Sequence, residues 1–133
     1  MGESRHHAEL VAKIIIWAQD RHAECDGMCI LLDSAGSPPE KRPRPIGGYV
    51  PDVSIQTVPA SFVIIGEAKM LNDLTTRHTR AQLHAYLEYL TMQADPLLVL
   101  ATPWVGLGLA RGLLRQLKRS AKAEAVPTHF LIG

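Results

Sequence analysis

Five consecutive apolar residues, Leu97 to Ala101, form a run of strand length with no polar position in it. A strand of that kind needs cover on both of its faces, which calls for a sheet flanked by helices. The rest of the chain supplies them. From Ser4 to about Glu24, Leu10, Ile14 and Trp17 recur at i, i+4 and i+7, and Val11 and Ile15 widen the stripe. From about Thr76 to Gln93, Leu83, Leu87 and Leu90 share one side of a second helix. Leu107 to about Lys122 reads as a third, exposing Arg111, Arg115, Lys118, Arg119 and Lys122. Met28 to Leu32 and Thr128 to Ile132 read as short strands. Tyr49 to Gln56 and Phe62 to Lys69 are both β-rich, and Val58-Pro59-Ala60-Ser61 between them suits a type I turn with proline second. They are predicted to form an antiparallel hairpin. The expected order is helix, three strands, helix, strand, then a further helix and strand: one mixed α/β domain over residues 1–133.

Composition narrows the class. At 133 residues and 47% hydrophobic content the chain can bury about two thirds of its unfolded surface, so neither disorder nor a disulfide scaffold is expected. Cys25 and Cys29 are its two cysteines, and the N-terminus shows no charged segment leading into an apolar one, which together suggest a reducing cytoplasm. The longest apolar tract, Leu97 to Ala110, is interrupted by Pro103 and Gly106 and is short for a bilayer, so no membrane segment is expected. Charge is balanced overall but polarised. Residues 1–99 hold nine basic and twelve acidic side chains, net −3; residues 100–133 hold five basic and one acidic, net +4. That argues against nonspecific coating of nucleic acid and leaves room for local basic patches.

The hairpin carries the chemistry. Folded about Pro59-Ala60, its paired residue numbers sum to 119, which sets Asp52 opposite Glu67 with Cβ atoms about 5 Å apart. Side chains alternate along a strand, so Lys69 joins Glu67 on one face while Ala68 points away. Facing carboxylates destabilise a strand pair and call for a cation. Magnesium takes oxygen ligands and keeps several waters with one or two carboxylates, which suits Asp52, Glu67 and the Ala68 carbonyl. Lys69 would then orient a water or stabilise charge on a phosphate oxygen.

Pro51-Asp52, fourteen intervening residues and Glu67-Ala68-Lys69 resemble the PD-(D/E)xK motif of a large nuclease superfamily that includes restriction endonucleases, junction resolvases and exonucleases. The element order is similar to that superfamily's core, and Gln82 with Tyr86 four residues later resembles the Gln-bearing helix of RecB-like and VRR-NUC-like members. The resemblance covers roughly residues 5 to 101. It implies a restriction endonuclease-like fold and a magnesium- or manganese-dependent phosphodiesterase, an endonuclease acting on DNA in the first instance, with RNA an open alternative. Asp52, Glu67 and the Ala68 carbonyl would hold the metal, and Lys69 would position the water. Gln82 and Glu9 would assist from one shell further out.

Each residue also has a plainer reading. Glu9 lies four residues before Lys13 in the orientation that favours a helix salt bridge. Gln82 could be an exposed glutamine, and Tyr86 a packed aromatic with its hydroxyl at the rim. Arg77, His78 and Arg80 at the start of the second helix, and Lys41, Arg42 and Arg44 in the proline-rich loop, are candidate phosphate contacts or simply solvated charges. His22, Cys25 and Cys29 match no common zinc spacing, and Gly106, Gly108 and Gly112 fit a dinucleotide fingerprint poorly. A noncatalytic nucleic-acid-binding or assembly module on the same fold is the alternative from another class. Cutting two strands would suit a homodimer, with the helix from Leu107 as a candidate interface.

Overall fold

A computed structural model describes residues 4–57 and 61–133. Ser4 caps the first helix, α1 (Arg5–Arg21), by accepting a hydrogen bond from the His7 amide at 3.1 Å. Strands β1 (Met28–Leu32), β2 (Val53–Thr57) and β3 (Val63–Ala68) follow. Helix α2 (Arg77–Leu90) is capped by Thr76, whose hydroxyl accepts from the Thr79 amide at 3.1 Å. Then come β4 (Pro96–Thr102), α3 (Leu107–Ser120) and β5 (Thr128–Ile132). The five strands lie in the order β1-β2-β3-β4-β5. The first three pair antiparallel, whereas β3, β4 and β5 run parallel.

The expected two-sided cover of the apolar run is present. Leu98 and Leu100 of β4 face α2 and α3 together with Val63 and Ile65, while Val99 and Ala101 face α1 together with Ile64 and Ala68. Helix α1 sits very close to the sheet because Gly66 has no side chain: a Cβ there would stand 2.7 Å from Ile14 Cγ2. The apolar stripe of α3, formed by Ala110, Leu113, Leu114 and Leu117, is buried within the chain's own core. Among the described residues no helix is long and apolar enough to cross a membrane.

The hairpin register is the expected one, with Val53 paired to Gly66 and Ser54 to Ile65; the proposed turn at residues 58–60 lies outside the described residues. The strand before it is shorter than its composition suggested. It begins at Val53, not Tyr49, because two positions further along this register Pro51 falls opposite Ala68 and proline has no N–H to give. Tyr49 instead pairs with Ile46 in a tight reversal over Gly47 and Gly48, both at positive φ (59° and 88°), where glycine is favoured.

Candidate active site

The end of the β2–β3 ladder creates the site. Beyond the last ladder pair the Ala68 amide donates to Asp52 Oδ2 at 2.9 Å. The Asp52 amide donates in return to Glu67 Oε2, also at 2.9 Å. The two carboxyl groups are thus held side by side, Glu67 by the Asp52 amide and Asp52 by the Ala68 amide. From the next helix, Gln82 Nε2 donates to Glu67 Oε1 at 2.8 Å and to the Tyr86 hydroxyl at 3.0 Å, the i, i+4 spacing placing both on the inward side of α2. Lys69 Nζ lies 3.6 Å from Glu67 Oε1, its side chain only 11% exposed.

Opposing influences act on Glu67. Burial and the neighbouring Asp52 charge raise its pKa, while Lys69 and the bond from the Asp52 backbone lower it. The first pair wins, and the carboxyl is pushed up to about 8. Tyr86 is pushed well above the usual tyrosine range by burial and by Glu67's charge. One ammonium, Lys69, faces two carboxyl groups here, and a divalent cation would supply further positive charge. The donors on hand are the Asp52 and Glu67 oxygens and the Ala68 carbonyl, which has no proline N–H to accept from across the ladder. Gln82 Oε1 is a further buried acceptor with no hydrogen-bond partner among the described residues. This all-oxygen set fits a small hard ion that retains water. The described residues contain no cluster of three or more His, Cys, Asp or Glu side chains placed to hold a metal ion, so any ion here would take carbonyl, amide or water oxygens besides the two carboxyl groups.

Asp52, Glu67, Ala68, Lys69 and Gln82 therefore converge as the sequence suggested, but Glu9 does not join them. It is exposed and ion-paired with Arg5 at 3.3 Å. From α1 the site receives His7, whose Nε2 stands 3.2 Å from Asp52 Oδ2. The sequence did carry a signal for this: His7 precedes Leu10, Val11 and Ile14 by three, four and seven residues and shares their buried stripe, while Glu9 shares a face with exposed Lys13 and Ile16. Tyr86 is fully buried behind Gln82 instead of lying at a rim.

The basic candidates divide. Arg42 braces its own loop, donating to the Ser37 carbonyl at 3.0 Å and the Ala35 carbonyl at 3.4 Å. It lines, with Arg44, a groove beside Ser54 and Gln56 of β2; Lys41 is exposed at the end of the turn Pro39–Lys41. Arg77 is exposed, and His78 packs edge-on against Tyr49 with ring centroids 5.4 Å apart. Arg80 reaches across to Gln116 of α3. Of the rejected zinc residues, His22 stacks on Phe62 at 4.0 Å, and Cys25 and Cys29 are free thiols. Comparison with protein-family models, curated proteins and solved structures finds no match to this chain.

Proposed function

We propose that this chain is a metal-dependent nuclease of the restriction endonuclease-like fold, hydrolysing phosphodiester bonds of DNA. The observation that carries the reading is the pair Asp52 and Glu67, held side by side at the ladder's end with Lys69 Nζ 3.6 Å from Glu67. Magnesium or manganese at these oxygens would neutralise the carboxylates and polarise a phosphodiester oxygen. The chain's own contributions are separable. Asp52 and Glu67 are held as two oxygen ligands by the Ala68 and Asp52 amides, which fixes their positions before loading. Lys69 presents a buried ammonium to a water or a nonbridging phosphate oxygen, orienting the attack in line with the leaving oxygen. Gln82, anchored on Tyr86, holds Glu67 Oε1 in place. His7, beside Asp52 Oδ2, adds an imidazole nitrogen within reach of the same centre.

One observation favours the noncatalytic reading. Both Glu67 oxygens already accept protein donors, so this carboxyl group is satisfied without a metal. Cleavage decides between the two. End-labelled single-stranded, duplex and branched DNA and RNA would be incubated with magnesium or manganese and either the wild type or Glu67→Ala. Cutting that requires metal and disappears in the folded variant is the expected result, and the product pattern identifies the substrate. A variant that cuts at the wild-type rate overturns the proposal.

A further inference from the structure

Beyond the site, two of the five basic residues of 100–133, Arg115 and Arg119, line one groove. Helices α2 and α3 leave between them an open groove of about 540 Å³, into which Arg80, Arg115 and Arg119 project. None of these three is paired with a carboxylate among the described residues; Arg80 Nη1 instead donates to Gln116 Oε1 at 3.3 Å, joining the two walls. Arg115 and Arg119 stand one helical turn apart, about 6 Å along α3. The same stripe of α3 holds Gly108 and Gly112, and a Cβ at either would meet nothing within 4 Å. Glycine is a poor helix former, so two of them one turn apart facing open space leave a bare backbone floor that folding itself does not require.

The groove shares no lining residue with the candidate centre, but the chain connects them: its lining includes Leu74 and Thr75, in the turn that follows Lys69, and α2 carries both Arg80, which lines the groove, and Gln82, which turns to Glu67 from another side of the helix. We infer that this groove carries the sugar–phosphate backbone of a nucleic-acid strand running to or from Asp52, Glu67 and Lys69, with Arg80, Arg115 and Arg119 as its phosphate partners. Unpaired guanidinium groups match phosphates in charge and in hydrogen-bonding geometry, and the glycines allow the strand to approach the helix closely. The inference rests on the nuclease reading for the identity of the strand. It differs from that reading in assigning the contacts to α3.

Binding is measured without divalent metal, so that nothing is cut, by fluorescence anisotropy of labelled single-stranded and duplex DNA across a salt series. Arg115→Ala/Arg119→Ala is compared with Arg111→Ala/Lys118→Ala, which removes equal charge from the same helix. Loss of two phosphate contacts should shallow the slope of log affinity against log salt by about 1.4 for a single strand or about 1.8 for a duplex, with less than half that change in the control. Gly112→Leu, which obstructs the groove and keeps every charge, should weaken binding about tenfold while leaving the protein folded. The inference is overturned if the groove variant binds like the wild type, if the control loses as much, or if Gly112→Leu binds unchanged. Failure here with Glu67-dependent cleavage intact leaves the nuclease reading standing. Groove-dependent binding with cleavage indifferent to Glu67 would remove that reading and keep the groove.

Discussion

Glu67 makes the folding stability of the metal-free protein depend on pH in an unusual direction. Its carboxyl titrates near the ordinary 4.5 in the unfolded chain and at about 8 in the fold. Between those values the folded protein keeps a proton that the unfolded chain gives up. Stability from this group is therefore complete below pH 4.5 and is lost as pH rises towards 8, opposite to a salt-bridged carboxylate. One proton corresponds to at most about 1.4 kcal/mol per pH unit, so the step from pH 5.5 to 7.5 should cost on the order of 2–3 kcal/mol. The side chain is only 4% exposed, so solvent screening takes little from that figure. The perturbation is Glu67→Gln. An amide cannot titrate, and whatever it gains or loses in hydrogen bonds to Asp52 N and Gln82 is a constant offset across pH. Urea unfolding of both proteins at half-unit steps from pH 5 to 8 isolates the effect, because every other ionisable residue is common to the two proteins. The wild type should lose stability relative to the variant as pH rises. Parallel profiles, or a wild type gaining relative stability with pH, would refute the account of Glu67.

Other perturbations test other parts. Manganese affinity, measured by calorimetry, should rise with pH up to about tenfold per unit between 6 and 7.5, because loading displaces the Glu67 proton; a flat profile would contradict this. Gly66→Ala should destabilise by about 1–3 kcal/mol in urea unfolding, since the added methyl meets Ile14 at 2.7 Å, and a neutral result would mean that α1 shifts freely on the sheet. Tyr86→Phe removes a buried hydroxyl that accepts from Gln82 at 3.0 Å and should cost about 1 kcal/mol; a stability unchanged within error would show that the bond contributes nothing.

The legible parts of this chain are those fixed by local periodicity. Alternation along Phe62 to Lys69, with the proline turn as its pivot, gave the pairing that sets Asp52 against Glu67, and the helical repeat put Gln82 and Tyr86 on one side of α2. What sequence reading missed depends on how elements meet. Glu9 is the acidic residue in the N-terminal half of α1, yet the helix rolls to bury Leu10, Val11 and Ile14, and that roll brings His7 to Asp52 and leaves Glu9 in solvent. Tyr49 to Asp52 look β-forming, but a strand's length depends on what its partner can donate and accept, and Pro51 ends the ladder. Arg42 resembles a phosphate clamp in a basic loop, yet that loop has carbonyls of its own for a guanidinium to satisfy. The groove between α2 and α3 exists only once both helices lie on one side of the sheet.

Lys69→Met offers the most direct test of the central claim, because it keeps the aliphatic stem and removes only the ammonium. Single-turnover cleavage by wild type and variant would be followed with saturating magnesium, after calorimetry has shown that both bind manganese. The wild type should cut, and the variant should bind metal yet cut at least about a hundredfold more slowly. Equal rates in the two proteins, or a metal-loaded wild type that cuts none of the DNA or RNA substrates, would contradict the assignment of Asp52, Glu67 and Lys69 as a hydrolytic centre.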